Sequence, residues 1–500
     1  MLKIKRLDSP TIIMLLIAYY LLPIFSTPSV FSQNAILDNA MQRLAQDEVM
    51  RRGQVGICVI DISSGQVVGS MNGGMSLIPA SNMKVVSTAA ALKILGKDFR
   101  YKTELQYDGE IKDSVLYGNV YVKGSGDPTL GSPRMDGVPR MYQVLEDFAN
   151  QIRALGIKKI AGTIVGDGSA FENSTAVRTW LWEDVGNYYG AGPSGLNFNE
   201  NMYDLRFIQE PMVGATPQII GTSPQVPDFQ LFNDVKTSKS DDDDAYIFSH
   251  PYAKEGFVSG TIPQGASTYE ITGSLPDPPF FLAHNLRETL FRKGIEVFKP
   301  ATTQWIIDQN GKTLQIRKTF YTVLSPPLED IMRRANLQSN NLYCEAFLRT
   351  VALNQKGEGT NDLGTQAVGE FWRSQGIDTE GLFMQDASGL SPRNGVTPTQ
   401  LATMLRTIAL DNQWFTPFYN TLPEAGKSGT MKSMFKDYPS VIGKIRAKSG
   451  TITRVRCYSG YATAQDGRLM AFSVMLNNFT CSQGQIRKPL EAFMAALCQM

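Results

Sequence analysis

Histidine is almost absent: only His250 and His284 occur in 500 residues. That excludes a histidine-rich metal centre and leaves histidine-based catalysis to one of two positions. Neither has a catalytic context, since His250 sits in the turn-like Ser249-His250-Pro251 and His284 opens an apparent helix at Asn285-Leu286-Arg287. An excess of one charge is also lacking. The 48 Lys and Arg against 47 Asp and Glu leave a net charge of +1, so no global field holds nucleic acid or an anionic membrane. Cysteine is scarce: Cys58, Cys344, Cys457, Cys481 and Cys498 are odd in number and form no CxxC pair. They read as buried small hydrophobes, not a disulfide framework. Long apolar runs are missing beyond the N-terminus. There, Lys3, Lys5 and Arg6 precede an apolar run from Thr11 to Phe25, and Val30-Phe31-Ser32 precede Gln33. This is the pattern of an export leader, residues 1–32, cleaved after Ser32. The run of about 15 residues contains Pro23 and falls short of the roughly 20 that span a bilayer. The mature chain is expected in the periplasm with no stable membrane span.

What is present is globular composition, 42% hydrophobic and 19% charged with 44 Gly and 26 Pro. At about 150 residues per domain the length predicts roughly three domains. Val55 to Asp61 and Val67 to Met71 form a predicted hairpin, and Pro79-Ala80-Ser81-Asn82-Met83-Lys84 leads into apolar positions at helical spacing. From about residue 100 to 168 β-runs surround one helix, Met141 to Leu155. Residues 180–273 are richer in Pro, Gly, Asn and aromatics, with the acidic run Asp241 to Asp244 expected at a solvated loop tip. Helical spacing returns at Phe281 to Lys293 and Leu328 to Ala352, and the last hundred residues alternate helix with β-runs before a C-terminal amphipathic helix. No internal repeat appears.

With histidine unavailable, a serine nucleophile needs another base, and a lysine of lowered pKa is the natural substitute. Ser81 and Lys84 lie three residues apart at a helix start, on one face, where burial favours the neutral amine and the helix N-terminus favours charge on the serine oxygen. Ser-x-x-Lys alone is weak evidence, since Ser433-Met434-Phe435-Lys436 repeats it. Ser339-Asn340-Asn341, ahead of a helical run, places a hydroxyl and an amide on a short turn; alone it is equally a helix N-cap. Lys448-Ser449-Gly450-Thr451 follows a β-run, where lysine and hydroxyl suit a carboxylate and Gly450 permits close approach. The Thr451 and Ser81 amides suit an oxyanion hole. Lys427-Ser428-Gly429-Thr430 carries the same four letters but follows Pro423 and resembles a loop. It also resembles the end of a phosphate-binding loop, but Thr421 stands where that motif needs glycine.

The ordered set Ser-x-x-Lys, Ser-x-Asn, Lys-Ser/Thr-Gly resembles that of penicillin-binding proteins and serine β-lactamases. The wide separation of Ser81 from Ser339 implies an insertion. With Gly124 to Leu130, Gly166 to Phe171, Tyr189-Gly190-Ala191, Leu196-Asn197 and Asp386 to Ser391, the mature chain resembles the penicillin-binding protein 4 family of serine D-Ala-D-Ala carboxypeptidase/endopeptidases. The resemblance implies an α/β (α+β) β-lactamase/transpeptidase-like catalytic domain, residues 33–99 and 290–500. It is split by two nested, mainly β inserts, residues 100–180 with 262–289 and residues 181–261. It also implies Ser81 as acylated nucleophile, Lys84 as base, Ser339 and Asn341 in proton transfer and peptide positioning, and Lys448, Ser449, Gly450 and Thr451 around the terminal carboxylate and oxyanion. Asp167 and Arg393 are expected on the amino and carboxylate ends of a diaminopimelate side chain, or else in ordinary ion pairs. Asn340 stands where Asp is common, and Ser449 where Thr is. The implied substrates are peptidoglycan stem peptides, with β-lactams as covalent inhibitors and no metal or organic cofactor. A β-lactamase and a non-catalytic cell-wall-binding scaffold remain alternatives.

Overall fold

The computed structural model describes residues 30–32, 34–311 and 316–500; most of the expected leader lies outside the described residues. The centre of the catalytic half is a six-stranded antiparallel sheet in the order Val30–Ser32, Val67–Met71, Gln54–Asp61, Leu469–Asn477, Val455–Thr463 and Ile445–Ile452. Its central strands are apolar along nearly their whole length because both faces are covered. On one face the helices Ala35–Gln46 and Gln483–Leu497 bury Leu37, Met41, Ile486 and Phe493 against Phe472 and Val474. On the other, Met83–Leu95, Asn341–Lys356 and Pro398–Ala409 form a second core with Val86, Phe347, Leu401 and Tyr461. Every residue of Met83–Leu92 is buried, so this helix is enclosed on all sides and serves as the core's axis.

The predicted hairpin and C-terminal helix are present, but the single helical run expected from Leu328 to Ala352 is two helices, Leu328–Gln338 and Asn341–Lys356. The break is local chemistry. Ser339 adopts a left-handed φ of +57° and the Asn340 side chain accepts from the Tyr343 amide, ending one helix and capping the next.

The inserted half contains a five-stranded sheet ordered Thr302–Thr303, Ile164–Asp167, Val120–Gly124, Lys102–Tyr107 and Lys318–Leu324, packed on the helices Met141–Ala154 and Pro278–Arg292. Within it sit two three-stranded sheets, one of Gln218–Ser223, Met202–Ile208 and Thr268–Ser274, the other of Gln230–Ser238, Glu255–Pro263 and Asp244–Phe248. Pairing of Lys318–Leu324 with Lys102–Tyr107 carries the insert past the boundary expected at 289, because short return strands follow the helix there. His284 lies inside the helix Pro278–Arg292, not at its start, and Asp241 to Asp244 are exposed at a loop tip. All five cysteines are free; four are buried, and Cys481 is half-buried. No helix among the described residues is long and apolar enough to cross a membrane.

Candidate active site

Ser81 stands in a single 3-10 turn, Ala80–Asn82, that runs directly into Met83–Leu95. Asn82, wholly buried, anchors the turn by donating to Ser459 Oγ at 2.8 Å on the central sheet. Lys84 is fully buried one turn on, and its Nζ is 2.9 Å from Ser81 Oγ, 2.7 Å from Asn341 Oδ1 and 2.7 Å from the Ser388 carbonyl. Burial lowers its pKa, against the opposing pull of Cys344, Asp386 and Glu345. A neutral amine has two N–H bonds and one lone pair. With Asn341 and Ser388 taking the N–H bonds, the lone pair faces Ser81 Oγ, the geometry of a general base.

Both acceptors are themselves held. Asn341 Nδ2 donates to the Tyr189 carbonyl of the insert at 2.7 Å, which fixes Oδ1 toward the lysine. The Ser388–Gly389 peptide presents its carbonyl to Lys84 while its N–H donates to Asp386 Oδ1 at 2.7 Å. Asp386 also accepts from Trp180 Nε1, and Glu345 accepts from the Ala387 and Ser388 amides. Burial pushes the Glu345 carboxyl up to about 7. Gly389 is at φ +82°, and a Cβ there would meet the Ala80 carbonyl, so this loop lies directly against the Ser81 turn. In the sequence, Asp386 to Ser391 appeared only as a shared stretch without a role; the buried acceptor function needs the tertiary contact to be seen.

Lys448 is also fully buried, on the edge strand Ile445–Ile452, and its Nζ donates to Ser339 Oγ at 2.9 Å. Burial, then the neighbouring Lys84 charge, hold its pKa well below the usual lysine value. A Cβ on Gly450 would lie 2.4 Å from the Pro79 carbonyl and 3.1 Å from the Ser81 amide nitrogen, so glycine lets the strand pass against the serine turn. All three motifs therefore meet beside one groove of about 900 Å³, lined by Ser81, Ser339, Asn341 and Thr451.

Asp167 and Arg393 are not among its lining residues. Asp167 is buried with its Oδ2 2.6 Å from Arg317 and its Oδ1 accepting from the Ser169 amide, the ion-pair alternative of the sequence reading. Arg393 is exposed and borders a separate hollow with Glu172 and Arg178. The groove lining carries the acidic residues Glu183, Asp184 and Glu200, together with Arg134. Burial, with help from Glu183, pushes the Asp184 carboxyl up to about 6. Sequence reading missed this pair because nothing in Trp182-Glu183-Asp184 distinguishes it from a solvated helix start. Neither histidine lines the groove.

A serine beside a buried lysine, a second lysine behind a serine–asparagine turn and a glycine-bearing edge strand define a serine acyl-transfer enzyme of the β-lactamase and penicillin-binding fold class. The model of the D-Ala-D-Ala carboxypeptidase 3 (S13) family matches residues 37–497, and the chain belongs to that family. It is a D-Ala-D-Ala carboxypeptidase, a serine hydrolase. It is 28% identical to D-alanyl-D-alanine carboxypeptidase DacB of Haemophilus influenzae over 85% of this chain and 86% of that protein. It is 27% identical to a D-alanyl-D-alanine carboxypeptidase of an Actinomadura species, over 87% and 79%. The crystal structure of penicillin binding protein 4 from Haemophilus influenzae superimposes with a TM-score of 0.78 at 24% identity, covering 92% of this chain and 98% of that one, and shows the shared fold.

Proposed function

We propose that Ser81 is the acylated nucleophile and that the enzyme removes the terminal D-Ala from peptidoglycan stem peptides. Lys84 takes the hydroxyl proton as Ser81 Oγ attacks the penultimate D-Ala carbonyl, and the Ser81 and Thr451 amides receive the oxyanion. The departing D-Ala nitrogen takes a proton through Ser339, which Lys448 resupplies; water then releases the acyl group. Arrival of the substrate carboxylate favours a charged Lys448, whose proton burial otherwise disfavours. A diaminopimelate amino group fits the Glu183–Asp184 wall in place of Asp167, and this supports cleavage of D-Ala–diaminopimelate cross-links as well.

The observation that carries the reading is the three-way hydrogen bonding of Lys84 Nζ. A complete set of polar groups in register disfavours a non-catalytic scaffold. The N-terminal pattern supports export to the periplasm with cleavage after Ser32, which would also remove the short Val30–Ser32 edge strand. Intact-mass analysis after penicillin treatment tests the reading: native enzyme gains one drug mass and Ser81→Ala none. An unmodified native enzyme overturns it, whereas rapid loss of the adduct assigns the site to β-lactam hydrolysis.

A further inference from the structure

The innermost sheet of the insert has one buried and one open face. Val235, Ile247, Val258 and Ile262 point inward and are buried. On the open face, Phe232 stands opposite Phe257, and Phe257 opposite Phe248, one ring on each of three adjacent strands. Strand spacing sets the rings at about 5 Å steps. Phe248 and Phe257 are stacked, with centroids 4.7 Å apart and planes 12° apart. The row continues to Trp182, whose ring is 6.3 Å from Phe248. It is solvent-facing, Phe232 being 54%, Phe257 40% and Trp182 52% exposed.

This row is continuous with the catalytic groove. Trp182 lies between Leu181 and Glu183, both groove-lining residues, and Tyr246, on the same strand as Phe248, lines it too. A row of exposed aromatics of this kind marks a contact surface. Its neighbours on the same face are polar: Asp234 and Lys236 follow Phe232 at two-residue intervals, and Ser259 and Thr261 follow Phe257. An aromatic strip among hydroxyls and mixed charges suits a pyranose chain. Phe248 and Phe257 cover each other's faces, so the row offers ring edges and the exposed rings of Phe232 and Trp182 to the C–H groups of such a chain, and the flanking side chains offer hydrogen-bond partners to its hydroxyls. The stem peptide read into the adjoining groove is itself attached to such a chain, which favours a glycan over a protein partner.

We propose that the Phe232–Phe257–Phe248–Trp182 row docks the glycan strand of peptidoglycan, so that a stem peptide hanging from that strand enters the groove at Ser81. The proposal rests on the reading of the groove as a stem-peptide site, and it makes the innermost insert a selector of glycan-attached peptides over free ones.

The test uses peptide-free glycan strands released by an amidase, the full chain, and the double variant Phe232→Thr/Phe257→Thr, which leaves Trp182 and the groove untouched. The native chain is expected to bind the strands, and the variant to bind at least tenfold more weakly. On glycan-attached pentapeptide the variant raises KM with kcat unchanged, while free pentapeptide turnover and penicillin acylation of Ser81 stay at native values. Native protein that fails to bind the strands, a variant that binds them equally, or an equal loss on free pentapeptide overturns the proposal. So does retention on intact sacculi without binding to peptide-free strands, which assigns the row to a protein or other wall component. Phe232→Thr alone, on the outer strand of the sheet, serves where the double variant unfolds. Strand binding by a chain whose Ser81 resists penicillin would sink the catalytic reading and leave this one standing.

Discussion

Lys427-Ser428-Gly429-Thr430 and Lys448-Ser449-Gly450-Thr451 carry the same four side chains in the same order and occupy opposite environments. Lys448 is fully buried on an edge strand and donates to Ser339; Lys427 is more than half exposed and pairs with Glu424 at 2.6 Å. The Ser-x-x-Lys pair shows the same contrast, with Lys84 buried beneath Ser81 while Ser433 and Lys436 are exposed. Side-chain identity supplies a nucleophile or a base only where burial shifts the amine toward neutrality and fixed acceptors aim its lone pair. The earlier Lys-Ser-Gly-Thr copy is not idle, however. Its Thr430 Oγ1 accepts from Ser449 Oγ at 2.7 Å, and Gly429, at φ +54°, lies against the Leu337 carbonyl near the end of the helix that leads to Ser339. The earlier copy buttresses the later one.

The most severe break in this comparison comes from the paired residues themselves. Lys84→Ala is expected to slow penicillin acylation roughly 10³-fold, within the range for loss of a general base, while Lys436→Ala leaves it unchanged. Stopped-flow or mass-resolved acylation rates distinguish them, and comparable effects at both positions would refute the role of burial. Lys448→Ala is expected to cost about 10²-fold in kcat/KM for a D-Ala-D-Ala peptide, as truncation of a buried charge partner does, against less than twofold for Lys427→Ala. Equal losses in D-Ala release would show that the earlier copy also reaches substrate.

How much of this was legible in the sequence follows from the same contrast. The choice of Lys448 over Lys427 rested on flanking β-type residues, and the strand pairing bears out that difference of environment. That a segment is inserted between the motifs was visible in their spacing, and the six-stranded sheet in its apolar strands. Contacts far apart in sequence were not visible. Asp386 and Glu345 act through backbone amides of a loop, Tyr189 acts through its carbonyl, and Glu183–Asp184 gain their place only when the insert folds back over the groove. In the sequence the ion pair of Asp167 is one of two alternatives, because its partner, Arg317, lies 150 residues away. Opposite charge suggests a zwitterion site but does not reveal that the charge is already satisfied.

The glycines sharpen the comparison at smaller scale. Gly450→Ala places a methyl group against the Pro79 carbonyl and close to the Ser81 amide, and a displacement of a few tenths of an ångström predicts roughly tenfold slower acylation. Gly429→Ala forces a left-handed backbone on alanine and is expected to lower stability by about 1–2 kcal/mol, read as a shift in the denaturation midpoint. Its acylation rate per folded molecule should fall less than that of Gly450→Ala, and the reverse ranking would make the earlier copy the catalytic one.

The pH profile probes which charges face the base. Acylation is expected to rise with pH as Lys84 loses its proton, along a limb displaced below the ordinary lysine range because burial lowers this pKa. Glu345, Asp386 and Cys344 oppose that lowering. Glu345→Gln keeps an oxygen for the Ala387 and Ser388 amides and removes one opposing charge, so the limb should move to lower pH. A limb that stays in place would show that the carboxyl is already uncharged when Lys84 titrates. This is compatible with its pKa near 7 only if the limb lies below that value.

The smallest effect tests the buttress directly. Thr430→Val keeps the shape of the side chain and removes the oxygen that accepts from Ser449, at an expected cost of about 0.5–1.5 kcal/mol for one intramolecular hydrogen bond. Because Ser449 adjoins Lys448, the proposed partner of the substrate carboxylate, the loss should appear as a few-fold higher KM for D-Ala-D-Ala peptides, with penicillin acylation of Ser81 barely altered. Ser428→Ala, two residues earlier, serves as control, since its hydroxyl accepts from the Glu424 amide and makes no contact with Ser449. If both substitutions raise KM alike, the effect travels through general loosening of the loop, and the contact between the two copies is packing without consequence for substrate.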